Sequence, residues 1–228
     1  MRSWLALVAM LPLAPSLGFA QQAEMQGMAM GDPHITMSPH WDAQAGDRAR
    51  ADSVVRIARE AVERYREVAA AEADGYRRFA PQVKHQRVYH YTSAAAALKA
   101  RFRFDPASPT ALLYQDDAAG GLRLVGVMYT MPPDTPLEDL DRRIPLSVAR
   151  WHQHTNICLP PRGTDDSEAA EDRHSGFGLR GSIATREACE AAGGRWFPRM
   201  FGWMVHLNLF ASTPDAVWQD DGGGMRHF

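Results

Sequence analysis

The chain has 228 residues, 45% hydrophobic and 23% charged, with a formal net charge of −2. That is apolar material for one well-buried domain of roughly 150 to 180 residues with two looser ends. A near-neutral balance without a basic stripe excludes nucleic acid as a partner.

The opening "MRSWLALVAMLPLAPSLGFAQQ" carries a positive charge at Arg2, an apolar run from Trp4 to Leu13, and small residues at Gly18 and Ala20. This is the pattern of a secretory signal peptide cut after Ala20. The run is too short for a membrane anchor, which needs about 20 apolar residues, and no later segment is long and apolar enough to span. The expected product is a soluble exported chain starting at Gln21, periplasmic or secreted, without a stable membrane anchor.

Residues 21–46 mix Gly, Pro, Gln and Ser with no helical or alternating period, so a flexible tail is expected. It concentrates Met25, Met28, Met30 and Met37 with His34 and His40. Thioether sulfur selects Cu(I), and imidazole suits copper in either oxidation state. The tail reads either as a low-affinity copper-catching segment or as a linker that happens to be Met-rich.

From Asp47 to about Phe79, the positions Val54, Val55, Ala58, Ala61, Val62, Tyr65, Val68 and Ala69 follow a 3.6-residue period. Arg and Glu fill the other face, so a long amphipathic helix is predicted. Gly75 marks its end or a kink, and Pro81 a firm stop. The period then changes to that of strands at 87–93, 110–116, 122–131, 148–158 and 203–211. Gly120 and Gly121 turn the second into the third as a hairpin. "PPDTPLEDLDRR" opens a short helix, and "TREACEAAGG" reads as a two-turn helix capped by Thr185 and stopped by Gly193. The fold class is α+β: a long N-terminal helix packed on a mainly antiparallel sheet, one domain over 47–218, with a flexible C-terminal tail at 219–228.

Three of these strands carry histidines. In "ARWHQHTNICLP", His152, His154 and Asn156 alternate, so in a strand they share one face. In "WMVHLNLFA", His206 and Asn208 alternate against Val205, Leu207, Leu209 and Ala211, which belong to the core. If the two strands are neighbours, His152, His154 and His206 converge, with His90 of "VYHY" as a fourth ligand or a supporting group. Three protein ligands with an open position describe a catalytic or exchange site, and four a closed one. The competing reading is that these imidazoles hydrogen-bond within the sheet and rim a cleft. His174, in an acidic loop, and His227, in the C-terminal tail, read as solvent-exposed. Cys158 and Cys189 are the two cysteines of the chain, and in an oxidising compartment such a pair reads as a disulfide. It closes a loop of about 30 residues and stabilises the fold by about 3 kcal/mol in the chain-entropy description.

The blocks "AAAEADGYRRFAP", "VYHY", "FDPASPTALLYQ", "LRLVGVMYTMP", "HTNICLPP" and "MVHLNLF" resemble those of a group of exported bacterial proteins of unassigned function. The match runs from about residue 60 to 218. The resemblance implies a coherent single domain and singles out His90 and His206 without naming a reaction. Where that group carries W-x-W and N-P after the late histidine, this chain reads "LNLFASTPDAVW".

No nucleophile elbow, phosphate-binding glycine loop, dinucleotide fingerprint or H-E-x-x-H is present. The sequence therefore points to an exported metal-binding protein, copper before zinc or iron, served by a metal-delivery partner. The alternative is a metal-dependent enzyme with a three-histidine site and an open position, acting on a small substrate in a pocket lined by Trp151, Trp203, Tyr89 or Tyr91.

Overall fold

A computed structural model describes residues 32–84, 86–164 and 176–218. Helix α1, Asp47–Val62, buries Ala51, Val54, Val55, Ala58 and Val62 along one stripe, as the helical period requires. Its first residue anchors it. The Asp47 carboxylate accepts the Gln44 N–H at 2.9 Å and the Ser147 hydroxyl at 2.5 Å. Those bonds, Ser147 first, hold its pKa at about 2.

The helix does not continue unbroken to Phe79. A 3-10 turn covers Glu63–Arg66, Glu67 is extended at φ −91°, and α2 runs only from Val68 to Ala73. The Tyr114 hydroxyl donates to the Tyr65 carbonyl at 2.6 Å, so this carbonyl serves the sheet instead of another helical turn. Gly75, at φ 88°, closes α2 as expected, with the Tyr76 N–H on the Ala71 carbonyl.

Seven strands form one sheet: β1 Ile35–Met37, β2 Arg77–Arg78, β3 Tyr89–Thr92, β4 Ala111–Asp116, β5 Leu122–Met131, β6 His152–Leu159 and β7 Arg195–Leu207. Their order across the sheet is β1-β6-β7-β5-β4-β3-β2, and every pairing is antiparallel. The α+β class with a helix on an antiparallel sheet is thus the observed one. The described residues also form three short helices: α3 Ala94–Ala100, α4 Leu137–Arg143 and α5 Arg186–Ala191. The Thr185 hydroxyl caps α5 by accepting the Ala188 N–H, as the sequence predicts. Ser93 caps α3 in the same way, and this helix was not expected.

Two differences in the sheet have local causes. Strand β1 lies inside the segment read as tail, because Ile35–Met37 pair in register with His154–His152; the paired edge of β6 supplies the order that local composition lacks. Strand β7 begins at Arg195, not Trp203, since Pro198 and the left-handed Phe201 (φ 69°) break the alternation that marks a strand. Gly202 makes that stretch possible: a Cβ there would sit 1.9 Å from the Met131 carbonyl oxygen.

Cys158 and Cys189 form the expected disulfide, Cα atoms 5.6 Å apart, tying β6 to α5. Gly194 leaves room for it, as a Cβ would meet the Cys158 Sγ at 2.5 Å. Among the described residues, no helix is long and apolar enough to cross a membrane. The core lies between the sheet and α1, with Tyr114, Leu112, Val127, Tyr129, Val205, Leu207 and Trp151 buried in it.

Candidate metal centre

Alternation along a strand sends successive side chains to opposite faces. In β3, Tyr89 and Tyr91 join the helix-side core while His90 faces the other way; in β7, Val205 and Leu207 flank His206 likewise. The second face carries a smaller apolar cluster of Val88, Ala111, Leu113, Val125, Met128 and Met204. His90, His152, His154 and His206 are all at most 6% exposed.

The sheet brings these four rings together. Ring centres are 5.7 Å apart for His90 and His206, 5.1 Å for His152 and His206, and 5.6 Å for His152 and His154. The expected neighbourhood of β6 and β7 is observed. Two imidazoles sharing one ion at about 2.1 Å each put their ring centres roughly 5 Å apart, so the spacing fits coordination. Among the described residues, no three His, Cys, Asp or Glu side chains already form a ready metal-binding group. Imidazoles turn about two side-chain torsions, and the strand register fixes the ring spacing more firmly than the direction of the nitrogens.

A cavity of about 170 Å³ opens on this face, with His90, His154 and His206 in its lining. His152 stands behind it, against His154 and His206. Met128 and Met204 also line it. Met204 is the β7 partner of His152, and Met128 the β5 partner of His206. Sequence reasoning missed both methionines: Met204 stands two residues before His206 on one strand, so alternation alone gives it the histidine face, whereas it is register that sets Met128 beside His206. The alternation of "LVGVMYTM" could have assigned Met128 to the face opposite Val127 and Tyr129. Burial, reinforced by the neighbouring His206, holds the His90 pKa down to about 3. His90 is therefore neutral across the physiological range, the form that coordinates metals.

Other residues that the sequence singles out do not all join this cluster. Asn156 adopts φ 58° and donates its side-chain N–H to the Pro33 carbonyl at 3.0 Å, which takes it to the β1 edge, away from the ring cluster. His34 is buried, with Nδ1 2.9 Å from the Asn156 carbonyl oxygen and Nε2 2.7 Å from that of Gly181. It pegs the β1 segment to the domain. Met37 ends β1, and His40 is exposed. Met25, Met28, Met30, His174 and His227 lie outside the described residues. Tyr89, Tyr91, Trp151 and Trp203, expected around a substrate pocket, pack into the helix-side core instead. The aromatic side chains that do line the cavity are Phe79 and Phe201.

No protein-family model, curated protein or solved structure matches this chain.

Proposed function

We propose that this is an exported copper-binding protein, periplasmic or secreted, that holds the ion between the imidazoles of β3, β6 and β7. The observation that carries this reading is the gathering of four buried histidines from three strands at ring-centre spacings of 5.1 to 5.7 Å. Copper, specifically Cu(I), is favoured over zinc or iron by two features of the lining. Met128 and Met204 add thioether sulfur, a soft donor that selects Cu(I). No carboxylate stands among the described residues of the lining, and the cost of desolvating an ion rises with the square of its charge. A singly charged ion among neutral donors is the least costly occupant. The disulfide is consistent with an oxidising compartment, as export requires. Capture by Met25, Met28 and Met30 ahead of the site, and handover by a delivery partner, complete the proposal.

The test is copper stoichiometry of the mature protein by elemental analysis, under reducing conditions mild enough to spare the disulfide. The expected result is one equivalent bound, lost in the double variant His152→Ala with His206→Ala. Deletion of residues 21–31, which spares β1, weakens uptake only. Full stoichiometric binding by the folded double variant overturns the proposal.

A further inference from the structure

The cavity is far larger than an ion needs. Its volume of about 170 Å³ compares with roughly 30 Å³ for one water in the liquid. It is also well below the roughly 300 Å³ at which pockets for drug-sized ligands begin. An engineered apolar cavity of about 150 Å³ holds one benzene ring, so the space here is that of a single six-membered ring with a small substituent.

The walls narrow the chemistry further. Met128, Met204, Phe79 and Phe201 offer thioether and phenyl surface, which favours an aromatic guest through sulfur–ring and edge-to-face contacts. Neither a carboxylate nor a Lys or Arg stands among the described residues of the lining, so neither an anion nor a cation finds a countercharge. The polar side chains of the lining are the imidazoles of His90, His154 and His206 and the hydroxyls of Thr92, Thr110 and Thr130; the Thr110 hydroxyl donates to the Met128 carbonyl at 3.0 Å.

The entrance is built from strained backbone. Phe79 and Phe201 meet edge to face, ring centres 5.8 Å apart. They are 37% and 46% exposed, while the histidines behind them are buried. Phe201 itself is left-handed at φ 69°, and Ala80, next to Phe79, at φ 48°. Such conformations cost of order 1–3 kcal/mol each and persist where the surroundings impose them. Here they aim two phenyl rings across the mouth.

We infer that the cavity is a binding site for a small neutral molecule of one aromatic ring bearing a hydroxyl, which enters past Phe79 and Phe201 and sets its hydroxyl against the imidazoles. This goes beyond the copper reading and does not require it. The probe is phenol, titrated calorimetrically into the mature protein, first stripped of metal by a chelator and then copper-loaded. Metal-free protein is expected to bind one equivalent with Kd of about 1 mM or below. Benzoate and benzylammonium, charged relatives of the same size class, bind at least about tenfold more weakly.

Ala97→Leu and Thr130→Leu fill the cavity from α3 and from β5. Each is expected to weaken phenol binding at least about tenfold while copper stoichiometry is kept, with folding checked by circular dichroism and by the unfolding midpoint. Absence of phenol binding to the wild-type protein overturns the inference and leaves the copper reading standing. Binding that is unchanged in both folded variants also overturns it, since the probe is then elsewhere. Phenol binding lost in the variants, in a protein that takes up no copper, supports the inference and removes the copper reading alone.

Discussion

The two faces of the sheet are built from the same strands and do opposite things. Beneath α1, large side chains fill the space and three buried tyrosines have their hydroxyls satisfied: those of Tyr76, Tyr114 and Tyr129 donate to the carbonyls of Pro109, Tyr65 and Pro106. Across the sheet, imidazoles and thioethers surround a cavity, and among the described residues the only helix in its lining is the short α3, through Ala97. The contrast shows how a strand divides labour. One residue's step along β3 or β7 changes a packing position into a site position, so the stability of the first face can hold the second open.

That division predicts separable effects, and the largest belongs to the packed face. Leu112→Ala empties a fully buried position in the helix-side core and is expected to cost about 2–5 kcal/mol, read from urea unfolding. The variant should still bind copper while folded. Loss of binding in the folded variant would show that the faces are coupled.

Acid should act first on the open face. The unfolded chain protonates His90 near its ordinary 6.5, whereas in the folded protein burial and His206, with His154 and His152 nearby, hold it to about 3. The folded state is thus at full strength above 6.5 and loses on the order of 1 kcal/mol per pH unit from this group as pH falls from there towards 3. Asp47 adds a second loss only below 3.8, as its carboxylate is protonated on the way to about 2. Unfolding free energies at pH 7, 6, 5 and 4, compared with those of His90→Asn, isolate the first term. Identical slopes for the two proteins would mean that the open face carries no such penalty.

The smallest effect belongs to neither face. Arg56 and Glu60 pair at 3.3 Å on the solvent side of α1, and Arg56→Ala should change stability by less than about 0.5 kcal/mol. A larger change would mean that α1 does more than cover the core.

Much of this architecture was legible because it rests on local rules. Strand β5 occupies the expected 122–131, since alternation and the flanking glycines fix it without outside help. Gly75 and Thr185 stop and start their helices as their chemistry dictates. Features set by distant partners were not legible: the break at Glu67 depends on Tyr114, β1 on the edge of β6, and the length of β7 on its pairing across Phe201 and Gly202. The same distinction divides the site. His152, His154, His206 and His90 are conspicuous as residue types, and alternation gives Met204 and Met128 their face, whereas Phe79 and Phe201 join the cavity through register and backbone strain.

By itself, the sequence determined the first helix, the central strands and the parity of their residues, because periodicity and capping act within a few residues of the chain. Which strands became neighbours, and so which imidazoles, thioethers and phenyl rings share one cavity, was decided by the tertiary structure. The physical reason is that cross-strand pairing joins residues far apart in the chain, and the energy that selects it comes from burying whole faces at once.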